Sequence, residues 1–287
     1  MVYLLESKSK YDLTSTIYSG QSFVWNPVIS GEYGEDSIHE GIIGNERYRI
    51  RSALHGLEII LPLKLSKKTQ AILGNYFRLD DDLDDIFQSV PRNDGYLSKL
   101  IIRYKGLHLL RQDPWECLVS FICSSNNNMK RIRRMIDNIR QFCGPKHSDI
   151  NGIFSSFPSA KILMDFGEQN LREIGLGFRA KYVYETAVIM VEENVDLNEV
   201  RNFSYQDALS FLTRFPGVGD KVANCVMLFS LDQLRAFPVD VWIKRVLRQE
   251  YFFCDGINIS DNMLRPNSQK LFGPNAGYVN QYLFHSR

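Results

Sequence analysis

No run in this chain approaches eighteen consecutive apolar residues, which argues against a membrane-spanning helix. The opening Met1-Val2-Tyr3-Leu4-Leu5-Glu6 lacks the charged-then-apolar build of a secretion signal. A reducing setting is therefore expected: the cytoplasm or nucleoid of a prokaryote, or the nucleus of a eukaryote. Cysteine is sparse, and Cys117, Cys123, Cys143, Cys225 and Cys254 form neither a CxxC pair nor a closely spaced quartet. That scatter argues against a disulfide framework, a zinc site and an iron–sulfur cluster, so each reads as a small buried apolar residue. The five histidines (39, 55, 108, 147, 285) are equally dispersed, and none is assigned to a metal. Charge of one sign is also missing. With 34 Lys and Arg against 33 Asp and Glu, a nucleic-acid binder of this balance must concentrate its positive charge locally. There is no internal repeat, low-complexity linker or long disordered tail.

The 287 residues are enough to bury a substantial core in two or three lobes. Up to about Arg103 the pattern favours strands, with β-rich runs at Ile17–Trp25, Tyr48–Ala53 and Leu57–Leu63 and a polar turn at Gly31-Glu32-Tyr33-Gly34-Glu35. Asp80, Asp81, Asp82, Asp84 and Asp85 form an acidic cluster. It fails as a calcium loop, because its sixth position is Asp85 rather than glycine and its twelfth is Pro91; it reads as a solvated helix start. From Pro114 onward helical periodicity dominates. Met129, Ile132, Met135, Ile136, Ile139 and Phe142 make one apolar stripe. Off that stripe lie Lys130, Arg131, Arg133, Arg134 and Arg140, opposed only by Asp137. A basic face of this kind is commonly just solvated. Here it adjoins Ser124-Ser125-Asn126-Asn127-Asn128, and amides beside arginines can bond both phosphates and base edges.

The most informative stretch is Phe215-Pro216-Gly217-Val218-Gly219-Asp220-Lys221. Before it, Ala208, Phe211, Leu212 and Phe215 recur at helical spacing behind a capping box of Ser204 and Asp207. After it, Val222, Cys225, Val226 and Phe229 share one face. Helix, glycine hairpin, helix (204–231) is a helix-hairpin-helix element, whose loop can offer main-chain groups to a phosphate. Glycines on either side of Val218 let the backbone approach closely. Lys221, on the first turn of the second helix, sits at the positive end of a helix dipole, which disfavours its protonated form and suits a nucleophile. Asp240 follows nineteen residues later in Pro238-Val239-Asp240-Val241.

Taken together these segments resemble the 8-oxoguanine DNA glycosylases of the helix-hairpin-helix superfamily. The resemblance spans nearly the whole chain. It runs through Gly20-Gln21-Ser22-Phe23, Tyr76-Phe77, Leu79-Asp80, Leu109 to Pro114 and Phe121 to Asn128. It continues through Gly175 to Ala180, Pro216 to Lys221, Pro238 to Val241 and Gln281-Tyr282-Leu283-Phe284. It implies an α+β fold, with an N-terminal TATA-binding-protein-like β lobe (1–104) followed by mainly helical lobes (105–287). It also implies a bifunctional DNA glycosylase and AP lyase of base excision repair, acting as a monomer on 8-oxoguanine, preferably opposite cytosine, in double-stranded DNA. Lys221 takes the position of the nucleophile that forms a Schiff base before β-elimination, and Asp240 that of the carboxylate that stabilises developing positive charge. Gly20, Cys225, Gln281 and Phe284 take the positions of the damaged-base pocket. Asn126, Arg131 and Arg179 match the readers of the orphaned cytosine, and Phe178 the aromatic wedge. Main-chain atoms of Gly217 and Gly219 match the phosphate clamp, which in the family is helped by a metal ion when DNA is bound; catalysis needs no cofactor.

Read without the resemblance, Phe284 and Cys225 are ordinary core residues, Gly20 a turn glycine, Lys221 a solvated side chain and Asp240 an N-cap for a helix beginning near Val241. Two departures stand out. Trp242 replaces a family histidine, which puts a phosphate contact in doubt, and His285-Ser286-Arg287 is unlike familiar relatives. Competing readings are a glycosylase for other oxidised bases, an adenine glycosylase (disfavoured by the lysine) and a non-catalytic helix-hairpin-helix DNA-binding module, which would have no use for Lys221 with Asp240.

Overall fold

The computed structural model describes residues 1–29, 37–61, 64–88, 90, 94–254 and 257–287. The chain begins with β1 (Val2–Glu6), α1 (Leu13–Tyr18), β2 (Asn26–Pro27), β3 (His39–Ile43), β4 (Glu46–Ala53) and β5 (Gly56–Ile60). The strands form one antiparallel sheet in the order β1-β5-β4-β3-β2, with Leu5 opposite Leu57 and Ile50 opposite Ile59. Period-two alternation puts Leu5, Tyr48, Ile50, Leu57 and Ile59 on the buried face, against Leu13 and Ile17 of α1 and Leu73 of α2 (Lys67–Tyr76). Gly41 in β3 is required there, because a Cβ would sit 2.5 Å from the Trp25 indole packed over it.

The expected strand at Ile17–Trp25 is not one. Asp12 caps α1 by accepting from the Ser15 N–H at 2.8 Å, and the helix runs through Ile17. The chain then turns through Gly20 at φ +87°. Beyond it the buried Gln21 side chain does what a ladder would have done. Its Nε2 donates to the carbonyls of Thr16 and His108 (2.8 Å each), and its Oε1 accepts from the Leu110 N–H at 2.8 Å. β-propensity lost to side-chain capping of the main chain. The strand expected at Leu57–Leu63 appears as β5, which ends at Ile60; residues 62 and 63, like the turn expected at 31–35, lie outside the described residues.

Helices α3 (Leu83–Gln88) and α4 (Gly95–Arg103) lead to α5 (Pro114–Cys123) and α6 (Met129–Cys143). A hairpin of β6 (Lys146–Asp149) and β7 (Gly152–Ser155) follows. Then come α7 (Ala160–Phe166), α8 (Glu168–Leu171), α9 (Arg179–Glu192), α10 (Tyr205–Thr213), α11 (Asp220–Ser230) and α12 (Val241–Val246). A short β8 (Phe253–Cys254) and β9 (Ile257–Asn258), α13 (Asp261–Phe272) and α14 (Ala276–His285) complete the chain. Among the described residues no helix is long and apolar enough to cross a membrane. The acidic cluster divides. Asp82 caps the start of α3 by accepting from the N–H groups of Asp84 and Asp85, whereas Asp81 is no solvated residue: it meets Arg78 and the Tyr278 hydroxyl.

The larger core is built around α11. Only one apolar face was expected of it, yet every residue from Val222 to Ser230 is buried, because α5, α10 and the segment before α12 enclose it. Phe121 of α5 stacks on Phe229 at 5.5 Å. Cys117, Cys123 and Cys225 are buried in this core, as expected of apolar cysteines, while Cys143 is only partly buried. α6 buries its stripe from Ile132 to Ile139, but Phe142 at its end is 58% exposed.

His108 supplies a pH dependence. Its ring is fully buried, Nδ1 donates to the Gly106 carbonyl at 2.9 Å, and Nε2 has no partner among the described residues. Burial pulls its pKa down from 6.5 to about 4. Between those values the unfolded chain binds a proton that the folded chain refuses, so stability falls as pH drops through that window, by about 3 kcal/mol in all. Urea denaturation at pH 7 and pH 4.5 should show a smaller acid loss for His108→Gln than for wild type; equal losses would refute the assignment.

Candidate active site

The two helices of the hairpin form as their sequence directs. The Ser204 Oγ accepts from the Asp207 N–H at 3.2 Å and starts α10. The Val218 N–H donates to the Phe215 carbonyl at 3.1 Å and closes the turn, and α11 begins at Asp220. The two glycines act differently. Gly217 adopts φ +77°, and a Cβ there would lie 2.7 Å from the Tyr182 ring. Gly219 is extended and faces open space, which leaves the first main-chain groups of α11 uncovered.

Lys221 points from the first turn of α11 into a cleft of about 1010 Å³. Its Nζ lies 3.3 Å from the Ser124 Oγ and 5.3 Å from the centre of the Phe121 ring. Asp240 lines the same cleft and caps α12, its Oδ1 accepting from the Ile243 N–H at 2.8 Å. Two buried amides hold the segment that carries it. Asn224 Oδ1 accepts from the Phe237 N–H at 3.1 Å, and Asn280 Nδ2 donates to the Pro238 carbonyl at 2.9 Å. Sequence reasoning missed both. The available signal was an asparagine inside an otherwise apolar helix, since a polar group in such a place needs a partner.

The four residues of the expected pocket also line this cleft. Gln281 is buried, its Nε2 donating to the Ser19 carbonyl at 3.0 Å, next to Gly20. The Phe284 ring rests against Gly20, where a Cβ would come within 2.8 Å of it. The Cys225 thiol is pushed up to about 11 by burial, with Lys221 pulling the other way, so it stays a neutral wall of the pocket. Trp242 is turned inward. Its Nε1 donates to the Leu283 carbonyl at 3.2 Å and ties α12 to the helix bearing Gln281 and Phe284.

Asn126, in a left-handed conformation (φ 47°), lines the cleft from the loop between α5 and α6, whereas Arg131, Phe178 and Arg179 lie outside its lining. Arg179 is buried rather than free. Its Nε donates to the Ser125 carbonyl at 3.0 Å and its Nη2 to the Asn126 carbonyl at 2.8 Å, so it braces that loop. Phe178 is half exposed, with the Arg179 guanidinium 4.3 Å over its ring. The basic face of α6 is narrower than its sequence implies. Arg140 is buried in an ion pair with Glu116, and Arg133 donates to the Trp25 carbonyl at 3.2 Å, leaving Lys130, Arg131 and Arg134 exposed.

A glycine hairpin between two helices, with a lysine behind it and a capping aspartate facing the same cleft, defines a helix-hairpin-helix protein of the base-excision class. Comparison with known proteins agrees. Residues 119–271 match the HhH-GPD superfamily of base excision DNA repair proteins, and residues 3–118 match the N-terminal domain of 8-oxoguanine DNA glycosylase. The chain is 32% identical to a probable N-glycosylase/DNA lyase of Methanothermobacter thermautotrophicus, over 96% of this chain and 94% of that protein. It is 33% identical to the N-glycosylase/DNA lyase of Saccharomyces cerevisiae, over 85% of this chain and 69% of that one. Its fold superposes with a TM-score of 0.86 on Clostridium acetobutylicum 8-oxoguanine glycosylase/lyase, solved with double-stranded DNA containing cytosine opposite 8-oxoguanine. That likeness is at 28% identity and covers 100% of this chain and 97% of that one. The chain belongs to the 8-oxoguanine DNA glycosylase family of the HhH-GPD superfamily.

Proposed function

We propose that this DNA glycosylase and lyase removes 8-oxoguanine, preferably opposite cytosine, from double-stranded DNA by forming a Schiff base at Lys221 and then nicking the strand by β-elimination. The observation that carries the reading is the convergence of Lys221, Asp240, Gly20, Cys225, Gln281 and Phe284 on one cleft. Residues 1–104 act as the N-terminal lobe and 105–287 as the helical part, in a monomer.

The lesion must leave the duplex to reach the lysine. Phe284 and Cys225 sandwich the extruded base, and Gln281 meets its Watson–Crick edge. With Nε2 on Ser19, the Gln281 Oε1 is left to accept from the base's ring N–H and amino group. Oxidation at C8 puts a hydrogen on N7, which the Gly20 carbonyl accepts. Normal guanine would set an acceptor against that carbonyl and leave it unsatisfied, a difference of about 1–3 kcal/mol, or roughly 5- to 150-fold.

The Lys221 nitrogen then bonds to C1′ while the C1′–N9 bond breaks, its electron pair leaving with the base. Starting from the ammonium, one proton passes to the base, one to the ring oxygen as the sugar opens, and one stays on the iminium nitrogen. Asp240 stabilises the cationic sugar. Asn126, Arg131 and the Arg179 Nη1, which has no hydrogen-bond partner among the described residues, donate to N3 and O2 of the orphaned cytosine, and Phe178 fills the gap in the stack. The uncovered main chain at Gly217 and Gly219 holds the phosphate near the lesion. Carbonyl oxygens there suit a hard cation, which would assist DNA binding and take no part in the chemistry.

The test is single-turnover excision from duplexes carrying 8-oxoguanine opposite each of the four bases, with borohydride present to trap the imine. A trapped complex and fastest excision opposite cytosine are expected. No trapping by folded protein would leave a DNA-binding module. Arg131→Ala should flatten the opposite-base preference by roughly tenfold, since a well-placed contact to a base carries about 1–3 kcal/mol. An unchanged preference would remove Arg131 from that role.

A further inference from the structure

Ser124 accepts a hydrogen bond from the Lys221 amine, and neither the hairpin motif nor the base pocket accounts for that contact. It ends α5, and the Ser124 Oγ donates to the Phe121 carbonyl at 2.7 Å. A hydroxyl has a single proton. With that proton held by Phe121, the oxygen can offer only lone pairs to Lys221, whose Nζ lies 3.3 Å away. The contact crosses 97 positions of sequence and joins the end of one core helix to the start of another. Both ends are anchored, because α5 and α11 pack directly on each other and Phe121 stacks on Phe229. The flanking walls, the Phe121 ring and the buried Cys225 thiol, are weak partners for an amine.

We propose that Ser124 is a positioning residue for the nucleophile, holding one Lys221 N–H so that the nitrogen lone pair is aimed at C1′ of the extruded nucleotide. This rests on the Schiff-base reading above. The balance of that reaction gives the bond its particular use. Of the three ammonium protons, the base and the ring oxygen take two. The third stays on nitrogen in the amine, in the sugar adduct and in the iminium. A pure acceptor can therefore keep the same bond throughout, without exchanging a proton of its own. A freely rotating amine would have to find the attack angle in each encounter, and misplacement on this scale slows enzymes by up to about 10²-fold.

The experiment measures single-turnover excision of 8-oxoguanine opposite cytosine, and separately the Kd for the same duplex, in wild type, Ser124→Ala and Ser124→Thr. Ser124→Ala should lower the excision rate about tenfold or more while Kd changes less than twofold. Ser124→Thr, which keeps the hydroxyl, should recover most of the rate. A Ser124→Ala rate within twofold of wild type overturns the proposal. So does a loss carried mainly by Kd, or a threonine variant as slow as alanine at unchanged melting temperature. If wild type itself neither excises the lesion nor traps with borohydride, the functional reading fails instead, and the two failures are distinct.

Discussion

Lys221→Gln should abolish borohydride trapping and lower single-turnover excision of 8-oxoguanine by at least about 10⁴-fold, the scale on which loss of a nucleophile acts. Glutamine is close in length and lacks the basic amine, so it cannot form the imine. Its amide can still donate to Ser124, and the side chain lies on an exposed-to-cleft first turn rather than in the packed part of α11, which begins at Val222. Folding and lesion binding should therefore survive. The measurement is a rate and a Kd on the same preparation. A variant that still forms a covalent complex would move the nucleophile elsewhere and end the present mechanism.

Asp240→Asn should slow excision by about 10²–10³-fold, the usual size of a lost electrostatic contact to a transition state. This substitution separates two roles that the structure gives to one carboxylate. As a cap, Asp240 accepts from the Ile243 N–H, and asparagine caps a helix about equally well. The melting temperature should hardly move. As a charge facing the cleft, it has no replacement in a neutral amide. A large fall in rate with unchanged stability and Kd supports the catalytic role, whereas an unchanged rate would leave Asp240 only its cap.

Much of the helical part was legible because its signals are short-range. The Ser204–Asp207 cap, the Gly217 turn and the α6 stripe from Ile132 to Ile139 each arise from closely spaced positions, and these formed as their patterns imply, with Phe142 at the end of the stripe left exposed. Ile17–Trp25 was misread because β-branched and aromatic residues there favour a strand locally, while the deciding partners of Gln21 lie near residues 108 and 110. Arg140 and Arg133 were counted as basic surface, although Glu116 and the Trp25 carbonyl claim them. Arg179 was expected to read the opposite cytosine; that its Nε and Nη2 also brace a loop more than fifty positions earlier could not be seen in the sequence.

The amino-acid sequence by itself determined the hairpin, the helices on either side of it, and the nineteen-residue interval from lysine to aspartate. Those follow from caps, periodicity and left-handed glycine, which act over one or two turns. Only the tertiary structure decided that Gly20, Ser124, Asp240 and Gln281 share a cleft with Lys221. Packing of α5 on α11, the close approach of Gly277 in α14 to Leu228 of α11, and buried amides such as Asn224 and Gln21 bonding main chain far away bring them together. Such contacts depend on which surfaces exclude water from each other, and no local pattern encodes the choice of partner.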